Sequence, residues 1–161
     1  MGETVKRRVL GLLAVAFSTV LIATTPASAH STDDWVKTTQ GAPAGWAHRT
    51  AKSYVSGVQQ ETDIYWQDNG EVWVQSRVWD RSTDGYCAAV QIRYEISTSP
   101  GQWAGHWHYR PVGGALDCAM GEPIPQHSAN WMARYPTRKV AARACHANPK
   151  GEIVECEGTW H

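Results

Sequence analysis

The fold class follows from residues 58–96, which read VQQETDIYWQDNGEVWVQSRVWDRSTDGYCAAVQIRYEI. Apolar and polar side chains alternate here with a period of two, the pattern of strands that bury one face. Two strands are predicted over residues 58–66 and 71–80, joined by the hairpin turn Asp68-Asn69-Gly70. The clearest alternation is that of residues 86–96.

The rest of the chain continues this pattern. Residues 103–110, 140–146 and 152–160 are predicted strands, residues 130–135 fit either a strand or one helical turn, and residues 111–127 are predicted to form a long loop. No amphipathic run is long enough for a helix. We therefore expect an all-β fold, an antiparallel β-sandwich or small barrel of about six to eight strands.

The N-terminus has the three zones of a signal peptide. Lys6, Arg7 and Arg8 precede an uncharged run over residues 9–23, and Ala27-Ser28-Ala29 fits a cleavage site. The apolar run is shorter than the roughly 20 residues that span a bilayer. Residues 1–29 are thus predicted to be removed, and the product to be secreted without a membrane anchor.

The remaining chain divides by composition. Residues 30–52 are polar and rich in Gly, Pro, Ser and Thr, which predicts a flexible N-terminal arm. Residues 53–161 are predicted to form a single β-sandwich domain.

All four cysteines lie after the predicted cleavage site, at positions 87, 118, 145 and 156. An even number in an exported chain favours two disulfides, whereas a zinc site would need closely spaced ligand pairs. Four cysteines allow three pairings. Because Cys145 and Cys156 flank the Lys150-Gly151 turn symmetrically, the pairing Cys145–Cys156 with Cys87–Cys118 is favoured.

The charge balance limits the classes of partner. The chain has 15 basic and 15 acidic residues, and three basic residues and Glu3 lie within residues 1–29. The mature chain therefore carries a net charge of −2. No basic field is present, so neither nucleic acid nor a membrane surface is an expected partner.

Tryptophan is the unusual component of the composition. The chain has nine Trp, while its single Phe lies in the predicted signal peptide. Trp73 and Trp79 lie on the strand face opposite Val72, Val74 and Val78, so they should be exposed if those valines face the core. Exposed indoles suit sugar stacking or protein contacts. Trp35 and Trp46 are isolated in the predicted arm and could dock into a partner.

A resemblance adds to this interpretation. The run Val72-Trp73-Val74, Trp79-Asp80 and Asp84-Gly85-Tyr86-Cys87-Ala88-Ala89-Val90 resembles the D-G-x-C-A pattern of small secreted actinobacterial disulfide-containing β-sandwich proteins. Most members have no assigned function. The resemblance implies an extracellular location and a sandwich fold, but no activity.

The sequence therefore predicts a secreted, non-catalytic binding module without cofactor or metal, acting as a protein–protein adaptor or interaction subunit of an extracellular assembly. Its expected partner is another secreted or cell-surface protein, with Trp35, Trp46, Trp73 and Trp79 as the binding residues. A lectin-like carbohydrate-binding module is the alternative.

A small hydrolase or nuclease is a further alternative. Its candidate residues are Glu61, Asp63, Glu71, Glu95, His106, His108 and Arg110. The spacing His106-x-His108 fits a metal pair but lacks an evident third ligand.

Overall fold

The computed structural model describes residues 34–119 and 127–161, and within these ranges the chain forms strands and no helix. The ten strands are β1 Trp35–Thr38, β2 Ala47–Val55, β3 Val58–Trp66, β4 Val72–Asp80, β5 Cys87–Ser99, β6 Gln102–Trp103, β7 His108–Asp117, β8 His127–Ala133, β9 Thr137–Ala147 and β10 Ile153–Cys156. The predicted all-β class is confirmed.

The strands form two antiparallel sheets. The first has the order β1-β8-β4-β3-β2. The second has the order β10-β9-β5, with β6 and β7 pairing different parts of β5. One apolar core draws on both sheets, so they pack face to face as a sandwich.

The period-two pattern identified the inner faces correctly. Val72, Val74 and Val78 of β4 are buried against Val90 and Ile92 of β5 in the same core. The turn before β4 closes with the Gly70 amide donating to the Gln67 carbonyl at 3.0 Å. The local pattern therefore fixed both the strands and the side that faces inward.

A buried chain of hydrogen bonds joins the two sheets. Thr62 Oγ1 donates to Gln60 Oε1 at 2.7 Å, and Gln60 Nε2 donates to Ser53 Oγ at 3.0 Å. Ser53 Oγ accepts the Ala144 amide of β9 at 2.9 Å. Polar residues on the inner face of β3 are thus satisfied, as burial requires.

The prediction of a flexible arm over residues 30–52 is wrong for the part that the structure describes. Residues 35–38 and 47–55 are strands of the first sheet, and the expected boundary at residue 52 falls inside β2. Trp35 is 2% exposed and meets Tyr94 of the opposite sheet edge-on, 5.3 Å between ring centres. The segment belongs to the fold because it closes the core.

The predicted loop over residues 111–127 begins too early. Strand β7 continues through Asp117. Between the pairs Ala89↔Leu116 and Gln91↔Pro111 the register shifts, and Gly114 adopts a φ of 91° within the resulting bulge. Pro111 is tolerated because β7 is an edge strand. These extra segments raise the strand number above the expected six to eight.

Both predicted disulfides are present, Cys87–Cys118 and Cys145–Cys156. Cys145 and Cys156 are register partners across the β9–β10 hairpin, as the symmetric spacing indicated. Two disulfides are typical of proteins in an extracellular or otherwise oxidising compartment.

The predicted signal peptide lies outside the described residues. Within the described ranges, no helix is long and apolar enough to cross a membrane.

Candidate functional site: a cationic and aromatic cleft

The four tryptophans singled out from the sequence do not form one exposed surface. Trp35 and Trp73 are 2% and 1% exposed, and Trp46 and Trp79 are half-buried. Trp73 does lie on the outer face of the first sheet, but Tyr65 on the neighbouring strand meets it edge-on at 5.2 Å. The expectation that Trp73 is an exposed indole is therefore wrong.

Trp73 is the centre of a row that crosses the whole first sheet. Register partners on the five strands form this outer row: His48, Tyr65, Trp73, Met132 and Val36. The His48 ring stacks on Tyr65, and Met132 and Val36 are 41% and 37% exposed. The outer row is a largely apolar strip across this face, which also carries Tyr54 and Trp79 farther along the strands.

A cleft opens where β2 and β3 of the first sheet face β6 and β9 of the second. Its cavity volume is about 430 Å³, within the range of small-molecule sites. Its apolar walls include Trp66 and Trp103. The charged lining residues are Arg49, Asp68, Arg138 and Lys139.

A bulge in β9 places two cations on one side of this cleft. Between the pairs Arg93↔Ala141 and Glu95↔Arg138, β5 advances two residues while β9 advances three. Lys139 has a φ of 54°, in the left-handed region that side-chain-bearing residues seldom occupy. Adjacent strand residues normally point to opposite faces, and the bulge redirects one of them.

Glu95 anchors both cations. Its Oε2 atom accepts from Arg138 Nε at 2.8 Å and from Lys139 Nζ at 3.1 Å, and its Oε1 atom accepts the Gly105 amide at 3.1 Å. The Arg138 guanidinium, followed by Lys139 and the Gly105 amide, lowers the pKa of Glu95 to about 2. Glu95 therefore stays ionised and positions the two cations.

The aromatic walls are also held in place. The Arg138 guanidinium lies 4.1 Å from the centre of the Trp103 ring, a cation–π contact.

At the other rim, Gly70 has a φ of 86°, and a Cβ atom there would come within 2.8 Å of Pro136 Cβ. Glycine is thus required where the β3–β4 turn meets the β8–β9 turn.

Arg49 lines the cleft and links the two sheets. Its Nη2 atom donates to the Val140 carbonyl at 2.6 Å, which ties β2 to β9. The described lining residues include three cations and the Asp68 carboxylate, and Glu95 adds a second carboxylate beside them. One positive charge therefore remains in excess, which favours an anionic ligand.

A second group of cations and indoles lies on the outer face of the second sheet. Arg93 lies 4.5 Å from the Trp107 ring centre and 5.1 Å from that of Trp160, and Arg143 lies 4.3 Å from that of Trp160. We call Trp107, Arg93, Trp160 and Arg143 the tryptophan–arginine ladder.

Lys139 links the cleft to the ladder. Lys139 lines the cleft, and its Nζ atom lies 5.7 Å from the Trp107 ring centre. One continuous surface therefore runs from the cleft onto the sheet face.

Three of the four carboxylates considered for hydrolysis are held in ion pairs. Glu61 and Asp63 both bind the Arg77 guanidinium, and Glu95 is fixed as described. Glu71 is exposed. A carboxylate that remains ionised, as Glu95 does, is a poor general acid near neutral pH.

The His106–His108 pair lies beside a buried carboxylate. The two rings stack with centres 4.7 Å apart, and His108 Nδ1 lies 3.5 Å from Asp34 Oδ2. Asp34 also accepts the Tyr94 hydroxyl at 3.0 Å. Among the residues that the structure describes, no three His, Cys, Asp or Glu side chains could hold a metal ion together.

The D-G-x-C-A segment organises a loop. Asp84 accepts the Tyr86 amide and the Ser82 hydroxyl at 2.9 Å each, and the pKa of Asp84 is lowered for that reason. Asp117, next to Cys118, accepts the Asp80 amide at 3.0 Å. The motif thus fixes the chain around the Cys87–Cys118 bridge.

Several site residues were not found from the sequence. Arg93 and Arg143 lie on the polar faces of their strands, and this was the only sequence feature that could have indicated them. Trp103 and Trp107 were predicted to lie on one continuous strand. The structure instead ends β6 at Trp103 and begins β7 at His108. The cleft depends on this break and on pairing between distant strands.

Comparisons of the chain with protein-family models, with curated proteins and with solved structures found no match. The fold and the site define a disulfide-bonded all-β sandwich with a cationic and aromatic cleft.

Proposed function

We propose that the protein is a secreted, non-catalytic binding module whose cleft takes an acidic carbohydrate. The observation that carries this proposal is the pairing of aromatic walls, Trp66 and Trp103, with three cations in one cavity of about 430 Å³. Flat indoles suit the apolar face of a pyranose ring, and Arg and Lys suit a carboxylate. A uronic acid unit presents both groups.

The experiment is a calorimetric titration of the mature protein with digalacturonate, with the neutral galactose dimer as the ligand control. Binding of the acidic dimer and about tenfold weaker binding of the neutral dimer are expected. Equal affinity for the two dimers, or no affinity for either, contradicts the proposal.

Trp103→Ala tests the site itself, because Trp103 is half-buried at the cleft wall. We expect at least a tenfold loss of affinity for digalacturonate. Trp79→Ala is the matched control, since Trp79 is also a half-buried indole but pairs with Gln59, near the opposite end of β3 from Trp66. Loss of affinity in both variants would place the ligand elsewhere.

A protein partner is the second candidate, and the outer row favours it. Met132 and Val36 expose apolar surface in line with Trp73, as contact surfaces between proteins do. The arm that first favoured an adaptor role is part of the first sheet, so this candidate depends on the outer row. Its test is capture of one defined protein from culture supernatant that Met132→Glu abolishes and Trp103→Ala leaves intact.

A further inference from the structure

The tryptophan–arginine ladder carries two guanidiniums that lack a direct ion pair in the described part of the chain. Among the described residues, no carboxylate lies within 4.0 Å of a nitrogen of Arg93 or Arg143. Arg143 donates instead to Gln91 Oε1 and to the Glu157 carbonyl. The Nε atom of Arg93 is buried without a hydrogen-bond partner.

The two guanidiniums lie on the same indole, that of Trp160. Burial lowers the pKa of Arg143, and the charge of Arg93 adds to this while Glu157 opposes it. The nearby carboxylates are Glu95, which holds Arg138 and Lys139, and Glu157, whose Oε1 atom accepts the Ala144 amide at 3.0 Å. Two guanidiniums on one indole, neither with a direct ion pair among the described residues, favour an anionic ligand on this face.

The ladder extends along the sheet from the mouth of the cleft. Arg143 is opposite Gln91, and Trp107 directly precedes His108, the partner of Tyr94. The ladder therefore covers about 10 Å along β5, at roughly 3.3 Å per strand residue. Trp107 is 37% exposed, and Tyr109, beside Trp160, is 43% exposed. The ladder is long enough to contact more than one sugar unit of a chain.

We propose that the ladder is the second part of an extended site for an acidic polysaccharide, with the first units of the chain in the cleft and later units along Trp107, Arg93, Trp160 and Arg143. This inference rests on the proposed function of the cleft. It adds that the ligand is a polymer with repeated carboxylates, because the cations and indoles repeat along the surface. Avidity from successive subsites then gives affinity that rises with chain length.

The test is a series of galacturonate oligomers of two, four and six units titrated against the full mature protein. We expect affinity to rise at least tenfold from dimer to hexamer. In Trp160→Ala, and in Arg93→Gln as a second variant, the dimer affinity should stay the same while the gain with length is lost, because among the described residues neither side chain makes a cation–π contact with a cleft residue. Trp79→Ala should keep the full gain.

The outcomes separate the two proposals. If the dimer binds the cleft and longer oligomers bind no better, the ladder inference is wrong and the proposed function stands. If no oligomer binds, both are wrong. If a single-stranded oligonucleotide of similar charge binds more tightly than the hexamer, the ladder is a nucleic-acid surface and the polysaccharide inference is overturned.

Discussion

The Oε2 atom of Glu95 lies 2.8 Å from Nε of Arg138, and this ion pair joins β5 to β9 beside the cleft. Because the bulge brings Lys139 to the same oxygen, one carboxylate positions two of the three cleft cations. The arrangement makes Glu95 a positioning residue whose loss should be visible in both stability and binding.

Glu95→Gln should destabilise the protein in a pH-dependent way. The pKa of Glu95 is about 2 in the folded protein, against 4.5 for the unperturbed group, so its stabilising contribution is complete above about pH 5 and is lost as pH falls from 4.5 towards 2. Urea unfolding at about pH 7 and about pH 2.5 measures this.

The difference between wild type and Glu95→Gln should shrink at the lower pH. Glu71→Gln, an exposed glutamate, is the control and should differ little from wild type at either pH. A difference that is constant with pH would mean that the ion pairs are not its cause.

Tyr94 should make the fold sensitive to alkali. Burial, followed by the negative charge of Asp34 and the hydrogen bond to it, raises the pKa of Tyr94 above its ordinary value of 10.0. The stabilising contribution is present below pH 10 and is lost as pH rises, because the unfolded state releases the proton first. The free energy of unfolding of Tyr94→Phe should therefore fall less steeply above pH 10 than that of wild type. Parallel pH profiles would contradict this.

Trp35 should be essential to stability although it lies so near the N-terminus. Truncating a buried indole leaves a cavity, so Trp35→Ala should cost about 3–5 kcal/mol in the free energy of unfolding. Trp46→Ala, the half-buried control in the same region, should cost clearly less. Denaturant unfolding of both variants measures this, and an unchanged midpoint for Trp35→Ala would restore the arm hypothesis.

The two disulfides should contribute unequally. Each disulfide joins one buried cysteine to a more exposed one, so the stability lost by truncating the side chains to Ala is similar for both. The difference in stability therefore comes from the length of the loop that each disulfide closes. With separations of 31 and 11 residues, loop entropy gives about 4 kcal/mol for Cys87–Cys118 and about 3 kcal/mol for Cys145–Cys156. Double Cys→Ala variants in urea should show that order, and the reverse order would contradict it.

Local sequence patterns were sufficient for much of the fold and for little of the site. The inner face of β3, the turn at Asn69-Gly70 and the pairing of Cys145 with Cys156 follow from residues close together in the chain. Trp103 and Arg138 are distant in sequence and meet only because β6 and β9 flank the same end of β5. A period-two pattern predicts on which face of a strand a side chain lies, but not which other strand is adjacent in the sheet. The contact between Trp103 and Arg138 could therefore not be predicted.

The arm failed as a prediction for a related reason. Its composition is that of a solvated segment, yet the buried Trp35 and the pairing of β1 with β8 attach it to the sandwich. One buried indole with a partner such as Tyr94 outweighs the average polarity of the residues around it.

The pairing of β1 with β8 has a consequence for the order of folding. Trp35 is opposite Ala133, 98 positions later in the chain. β1, the first strand of the described chain, can therefore join the sheet only after β8 has formed. Until β8 arrives, the outer edge of β4 has no partner, and edges of this kind are where chains associate with one another. Contacts so distant in sequence predict slow folding. Refolding yield should therefore fall as protein concentration rises.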